Sequence, residues 1–387
     1  MRSTLVVVLA CHFLAAFTVL GVPLYLPRLL QAFGLAEQSP WAGVLFSLPA
    51  VMTALSASGW GRFADRYGRR LSLQRALAGL TLAFLLAGAA PSLPWLVLAL
   101  ALQGLAGGTL AAANGYLSQY LHGDALAKAL NWTQFSARLA LLSAPPLMGA
   151  VLMVLPHIGQ RLWLGLALLP LAGLLLSLRL PDEVTPSQTR SSARGAPAEK
   201  AAPLWPLWLM QFLFNFAMVV TFPYFLPYAA HWLHQPVIVG MFYSWPHLIY
   251  LLLLPLWHRL PGRGLWFAPG MLLLALAALW HTRLETPAAL LAARTLFGLG
   301  MLLAYSGANQ LLSNAIRQHS AGKQFGQIDA AGKWAGVAAG LSAGWLVAHT
   351  TLQTPYLASA LAAVMAVFIF VTSSLRGSGY VRITRSS

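Results

Sequence analysis

The sequence predicts an all-α membrane protein with twelve transmembrane helices, arranged as two pseudo-symmetric six-helix bundles. Of the 387 residues, 58% are hydrophobic and 8% are charged, so a water-soluble fold would have too few charged residues to cover its surface. Apolar runs close to the ~20 residues that a spanning helix needs recur along the whole length. Short motifs of the first half also recur in the second half, which predicts the two-bundle arrangement.

The apolar runs define the predicted helices in order. We predict spans at 4–33, 40–60, 71–90, 94–121, 131–155, 159–180, 205–232, 236–257, 264–282, 288–316, 325–348 and 354–375. One break in composition, rich in proline, serine and charge, falls between the sixth and seventh spans. We therefore divide the chain into a bundle at 1–180, a cytoplasmic linker at 181–203, a bundle at 204–375 and a cytoplasmic tail at 376–387.

The net charge of +16 is distributed in a way that indicates membrane topology rather than binding of nucleic acid. Most lysines and arginines fall in alternate loops, which by the positive-inside rule places those loops and both termini in the cytoplasm. The first apolar run continues past Cys11, so we predict an uncleaved first helix rather than a signal peptide. We expect an integral protein of a bacterial cytoplasmic (inner) membrane.

The internal repeat rests on matched segments that follow in the same order in both halves. The matches are 22–27 with 222–227, 43–49 with 240–246, Asn114 and Ser118 with Asn309 and Ser313, and Lys128 with Lys323. Chance could supply one such match, but four in the same order indicate duplication of a six-helix unit. A ligand site between such units lies near the middle of the membrane.

A short charged segment, 61–71, lies between the second and third spans. It reads Gly-Arg-Phe-Ala-Asp-Arg-Tyr-Gly-Arg-Arg-Leu, and its defining residues are Gly61, Asp65, Arg66, Gly68, Arg69 and Arg70. This string resembles the signature loop of major facilitator superfamily transporters. The resemblance implies the major facilitator fold, alternating access and a gating role for the segment. A positive-inside anchor alone would explain the arginines but not the aspartate and the glycines, at which we expect tight turns.

A second resemblance lies in span five, where 143–150 reads Ser-Ala-Pro-Pro-Leu-Met-Gly-Ala. It is similar to a degraded form of the Gly-Pro-x-x-Gly-Gly signature of the antiporter, or exporter, branch. The residues involved are Pro145, Pro146 and Gly149, with Gly340 and Gly344 in span eleven. Generic packing of small residues between helices is the alternative. The arginine that this branch carries before Gln103 is absent, and Arg294 stands in a similar place in the second half.

Four basic residues are predicted at membrane depth, where a charge costs roughly 2.5–3.5 kcal/mol on insertion scales. They are Arg28, Arg138, Arg294 and Lys333. The repeat places Arg138 opposite Lys333, and we predict that both form the anion-binding floor of a central cavity. Asn114, Asn309 and Gln134 would add hydrogen bonds. In the alternative for the first pair, Lys333 pairs with Asp329 one turn away, and Arg138 extends to the membrane–water interface. The alternatives for the other two are that Arg28 reaches the lipid headgroups and that Arg294 braces a helix.

Proton coupling needs a group that titrates in the working range. Asp329 is the only carboxylate inside a predicted span, and His247 and His12 are the alternatives because histidine titrates near neutrality. An exchanger of organic anions would need no such group.

These features predict a secondary active transporter that exports a small anionic or amphipathic metabolite with proton coupling, and a carboxylate-type siderophore is the most specific candidate. The alternatives left open are a broad-specificity multidrug efflux pump and an importer of a sugar or organic acid. The expected partners are the small-molecule substrate, protons and the lipid bilayer, with the chain acting as a monomer. No enzyme motif, metal site or cofactor is expected, since the histidines are scattered and there is one cysteine.

Overall fold

A computed structural model describes residues 2–121, 123–181, 205–257, 263–315 and 321–375. The predicted linker beyond Pro181 and the predicted tail at 376–387 lie outside the described residues. The side chain of Asp329 lies outside them as well, although its backbone belongs to a helix.

Every regular element of the described residues is a helix. The first half contains α1 (Arg2–Leu30), α2 (Trp41–Tyr67), α3 (Arg69–Gly88), α4 (Leu93–Leu105), α5 (Thr109–Tyr120), α6 (Gly123–Val154) and α7 (Leu162–Ser177). The second half contains α8 (Trp205–Val219), α9 (Phe225–Ala229), α10 (Pro236–Trp257), α11 (Phe267–His281), α12 (Pro287–Ala315), α13 (Ala321–His349) and α14 (Thr354–Leu375). Ten of the helical segments are long and apolar enough to cross a membrane. The α8–α9 pair and α13 occupy the other two predicted spans, so the all-α membrane fold is confirmed.

Two predicted spans consist of two helices each. Span four breaks between α4 and α5, where Gly108 has a φ of 92°. Arg75 donates from Nη1 to the carbonyl oxygens of Ala106 (2.7 Å) and Gly107 (3.2 Å), which satisfies carbonyls that the end of α4 leaves without helical partners. Span seven breaks after α8, before Pro223, because proline cannot donate to the preceding turn. Continuous spans were expected at both places.

The charged segment after span two is mostly helical. Because α2 extends to Tyr67, Gly61, Asp65 and Arg66 lie inside it, and the tight turn predicted at Gly61 is wrong. The turn lies at Gly68 alone, whose φ of 101° favours glycine. The predicted boundary at residue 60 came from the fall in hydropathy, but hydropathy reports burial in lipid and not the end of a helix.

The helices pack as two groups, α1–α7 and α8–α14, which we call the first and second bundles. The main contacts between the bundles are those of α2 with α13 and of α6 with α10. We call the end of the molecule that carries residues 31–40 the far end, and the end at which α1 begins and α14 stops the termini end.

Hydrogen bonds across the bundle boundary concentrate in the half of the molecule toward the far end. Pro145 lacks an N–H and so leaves the carbonyl of Leu141 without its helical partner. The hydroxyl of Ser244 donates to this carbonyl at 2.8 Å from the other bundle. Its repeat counterpart Ser47 donates to the carbonyl of Val337 at 3.0 Å. We call the contacts of α6 with α10 and of α2 with α13 the two seams. In each seam, a serine donates to a backbone carbonyl of the opposite bundle.

Two tyrosines close the seams nearer the far end. Tyr25 donates to the carbonyl of Pro145 at 2.6 Å, and its hydroxyl lies 2.9 Å from the carbonyl oxygen of Pro236. Tyr224 donates to the carbonyl of Ser39 at 2.8 Å and accepts from the N–H of Gly43 at 3.1 Å. That N–H lies in the first turn of α2, where the helix itself supplies no acceptor.

The small residues of spans five and eleven lie in these same seams. A Cβ atom at Gly149 would collide with the carbonyl oxygen of Pro236, and one at Gly43 would collide with that of Gly340. A Cβ at Gly344 would lie 2.8 Å from the carbonyl oxygen of Pro40. The antiporter-like residues therefore allow close backbone approach between the bundles at the far end.

We predict that Gly43→Val destabilises the closed far end, because the added side chain would meet backbone rather than a movable side chain. Overpacking of this kind costs about 1–3 kcal/mol. The midpoint of thermal unfolding of the purified protein in detergent should fall relative to wild type.

The matched control is Gly59→Val in the same helix, where a Cβ meets no atom within 4 Å. It places the same β-branched residue in α2, so it carries the same propensity cost. Equal midpoints for the two variants would contradict close packing at Gly43.

Candidate functional site

A cavity of about 550 Å³ lies between α6 of the first bundle and α10 and α12 of the second. We call it the arginine cavity, after Arg138. Its polar wall includes the side chains of Asn131, Gln134, Arg138, Ser306, Asn309 and Gln310, and its aromatic wall those of Trp132, Phe135, Tyr250 and Tyr305. A volume of this size suits a drug-sized ligand, and a mixed wall with a few polar groups is typical of ligand sites.

The guanidinium of Arg138 extends from the first bundle to aromatic rings of the second. Its Cζ lies 4.6 Å from the ring centre of Tyr250 and 5.1 Å from that of Tyr305. Nη1 lies 3.4 Å from Nδ1 of His247 and 3.8 Å from the sulfur of Met301. The π faces of the two tyrosine rings attract the cation. The N–H groups of the guanidinium can still bind an anion bidentately.

No described carboxylate neutralises this guanidinium. Among the described side chains, the one ion pair with a nitrogen–oxygen distance within 4.0 Å joins Arg69 and Asp65 at 3.9 Å. Arg138 is half-buried at the cavity wall. A cation held in this way at membrane depth calls for a functional explanation.

Lys333 lies in a different cavity from Arg138. This second cavity, which we call the lysine cavity, has a volume of about 460 Å³ and is bordered mainly by α1, α2, α4, α5 and α13. The structure therefore does not bring Arg138 and Lys333 to one shared floor. Each cation extends from its own bundle toward the opposite one. The pseudo-two-fold relation therefore puts the two cations on opposite sides of the pseudo-symmetry axis.

The two asparagines that the repeat relates also differ in their surroundings. Asn309 borders the arginine cavity together with Gln134. Asn114 instead accepts a hydrogen bond from the hydroxyl of Thr133 at 2.8 Å, which joins α5 to α6 within the first bundle. Only the second-half copy is available to a ligand in the arginine cavity.

Arg294 is buried, with 2% of its surface exposed, and makes its contacts to the protein itself. Nε donates to the carbonyl of Phe242 at 3.0 Å, and Nη2 to that of Tyr243 at 2.5 Å. Pro246 leaves the carbonyl of Phe242 without a helical partner, so Arg294 satisfies it. Arg28 is half-buried toward the far end of α1 and borders neither cavity.

The two buried histidines proposed for proton coupling lie in different parts of the molecule. His247 contacts Arg138 as described. His12 borders the lysine cavity, and its Nδ1 lies 2.6 Å from the hydroxyl oxygen of Ser136. Asp329, the third candidate, has its side chain outside the described residues.

Two arginines of the charged segment 61–71, Arg69 and Arg70, bind backbone carbonyls of the first bundle. Arg69 donates to the carbonyl of Gly115 at 2.9 Å and to the hydroxyl of Ser118 at 2.7 Å. Arg70 donates to the carbonyl of Leu178 at 2.9 Å. Arg66 lies over the ring of Tyr67, and 74% of the side-chain surface of Asp65 is exposed. These contacts join α3 to α5 and to the end of α7.

Sequence reasoning missed Tyr250 as a site residue. A signal for it was present, because Tyr250 lies three residues after His247 and so falls on the same face of a helix. It also missed the wall residues Asn131 and Trp132, which precede Arg138 by seven and six positions on α6.

Comparison with known proteins identifies the family of the chain. A family model described as Major Facilitator Superfamily matches residues 8–339, which is more than half of the chain. The chain belongs to the major facilitator superfamily. It is an integral membrane transporter and not an enzyme.

Individual relatives are more distant. The chain is 32% identical over 120 residues to the multidrug resistance protein MdtG of Citrobacter koseri, and equally to that of Escherichia coli O1:K1 / APEC. The alignment spans 30% of this chain and only 29% of the length of these relatives. Among solved structures, the human organic anion transporter MFSD10 (TETRAN) is 16% identical with a TM-score of 0.71, covering 95% of this chain and 99% of that one. A D-xylose–proton symporter is 14% identical with a TM-score of 0.75, covering 95% and 97%. At these identities the structural likeness shows the fold alone.

The contacts of Arg294 and Arg138 predict unequal effects of their substitution on stability. Arg294→Met should lower the midpoint of thermal unfolding, because it leaves the carbonyl of Phe242 buried without a donor, at a cost of about 1–3 kcal/mol. Arg138→Met, at the cavity wall, should change the midpoint far less. A larger loss in Arg138→Met, measured in the same detergent without ligand, would contradict the assignment of Arg294 as the structural arginine.

Proposed function

We propose that this transporter exports a small anionic or amphipathic compound by alternating access, coupled to protons, with Arg138 as the anion-binding residue. The observation that carries the proposal is the guanidinium of Arg138 at the wall of a cavity between the bundles, without a described carboxylate partner. In our proposal the bundles at 1–180 and 204–375 are the units that move.

The chemistry of the arginine cavity supports an anion with an apolar or aromatic part. Arginine presents parallel N–H groups that match a carboxylate or a phosphate. Asn309 and Gln134 add amide groups, and the rings of Tyr250 and Tyr305 offer apolar surface beside the charge. A carboxylate-type siderophore remains a specific candidate because its carboxyl groups match the guanidinium of Arg138 and the amide groups beside it.

The distribution of contacts between the bundles supports loading from the termini end. At the far end the hydroxyl of Tyr25 lies 2.9 Å from the carbonyl oxygen of Pro236, and Tyr224 donates to that of Ser39, so both tyrosines contact the opposite bundle. The arginine cavity, by contrast, includes Asn131 and Gln310, which lie near the termini-end limits of α6 and α12. If both termini are cytoplasmic, as the positive-inside rule predicts, this cavity would accept substrate from the cytoplasm.

The comparisons agree with efflux of a small molecule. The MdtG relatives are named multidrug resistance proteins, and MFSD10 is described as an organic anion transporter. We propose His247, His12 and Asp329 as the groups through which protons couple to transport, and His247 is the candidate closest to Arg138.

A broad multidrug efflux pump is the second candidate, because the matched relatives carry that name. Cationic drugs favour a buried acid, however, and neither cavity is bordered by a described carboxylate. A guanidinium already held by the rings of Tyr250 and Tyr305 would also repel a cation from them.

The test compares anions with a cationic dye in proteoliposomes under an imposed pH gradient. We expect movement of benzoate and of a citrate-based siderophore in wild type, with ethidium ignored. Arg138→Gln should reduce anion movement about tenfold or more, because a hydrogen bond to a charged group is worth about 1.5–3 kcal/mol.

The control is Arg283→Gln, which removes the same charge from an exposed loop at the far end. It should leave anion movement unchanged. Ethidium transport that survives Arg138→Gln, with both anions ignored, would overturn the anion site and favour the multidrug pump.

A further inference from the structure

The lysine cavity and the arginine cavity share a few repeat-related residues. Carrying the matched segments forward pairs Arg138 with Lys333, His247 with Ala50, Tyr250 with Thr53, and Tyr305 with Leu110. All four counterparts, Lys333, Ala50, Thr53 and Leu110, border the lysine cavity. Each of the two cavities is thus bordered by one basic residue from the opposite bundle, although most of their other lining residues do not correspond in the repeat.

The two places differ in the chemistry of their walls. Two tyrosines and a histidine surround the guanidinium of Arg138, whereas the lysine cavity has Ala50, Thr53 and Leu110 at the counterpart positions. These small or aliphatic side chains leave space that rings fill in the other copy. The wall continues with aliphatic side chains of α1 and α2, among them Val19, Leu20 and Leu45. The result is an aliphatic chamber with a lysine at its wall.

We propose that the lysine cavity is a second subsite, which receives the alkyl chain of an anionic amphiphile while its carboxylate lies near Lys333. This inference rests on the proposed function and specifies its substrate as a medium-chain aliphatic acid or a conjugate that carries such a chain. Charge complementarity supports it, because no described carboxylate borders this cavity. Lys333 has a partner within the protein, and an ammonium with three donors can bind a carboxylate in addition.

The dependence of affinity on chain length tests the aliphatic wall directly. Each methylene group moved from water to an apolar site contributes about a fourfold gain in affinity. We would measure binding of radiolabelled butyrate, hexanoate, octanoate and decanoate to the full chain in nanodiscs, with empty nanodiscs as the blank for partition into lipid. Benzoate, which is too short to need the lysine cavity, serves as the probe for the arginine cavity.

We expect decanoate to bind at least tenfold more tightly than butyrate in wild type. Ala50→Phe should abolish this gain by filling the chamber, while benzoate binding stays unchanged and so proves that the variant is folded. The matched control is Gly59→Phe in the same helix, where an added Cβ meets no atom within 4 Å and the chain-length gain should remain. As a second variant, Lys333→Gln should weaken decanoate but not benzoate.

The outcomes separate this inference from the proposed function. If wild type binds benzoate but shows no gain with chain length, or if the gain survives Ala50→Phe, the second subsite is overturned and the anion site at Arg138 stands. If benzoate binding is absent in wild type, or survives Arg138→Gln, the proposed function itself fails.

Discussion

The structure depends on one constraint: a backbone carbonyl inside a bilayer needs a donor from the protein, and the prolines in these helices remove the usual ones. Pro145 frees the carbonyl of Leu141, which Ser244 satisfies from the other bundle. Pro246 frees the carbonyl of Phe242, which Arg294 satisfies from α12. The same prolines that bend the helices thus create the polar contacts that join them. The bond of Ser244 crosses the bundle boundary and helps to hold the two bundles together, while that of Arg294 joins two helices of the second bundle.

This seam determines where a ligand can bind. The bundles are in backbone contact toward the far end at Gly43, Gly149 and Gly340. Space remains deeper in the molecule, where Arg138 and Lys333 each extend from one bundle toward the other. An alternating-access cycle would need the seam to separate, and backbone contacts between small residues can separate without moving large side chains. We therefore propose a mechanical role for the residues that resemble the exporter signature, as the place where the bundles part.

Much of the fold could be predicted from the sequence, because lipid imposes long apolar runs and the repeat imposes their order. The depth of Arg138 in the membrane followed from its position in span five. Its separation from Lys333 did not follow. The position of a residue in the sequence gives its depth along a helix, but it does not give the direction in which the side chain points relative to the pseudo-two-fold axis. The break at Gly108 and the extension of α2 to Tyr67 were missed for a related reason. Both depend on hydrogen bonds and packing from neighbouring helices, such as those of Arg75, rather than on hydropathy.

The central claim is that an anion binds at Arg138 between the bundles, and photo-crosslinking tests it most directly. The full chain would be irradiated with 4-benzoylbenzoate, and labelled peptides would be identified by mass spectrometry. Our account predicts labels on α6, α10 and α12 near Tyr250 and Tyr305, and loss of these labels in Arg138→Gln. Labels confined to the far end, for example in 34–40 or 350–353, with the same yield in Arg138→Gln, would contradict it.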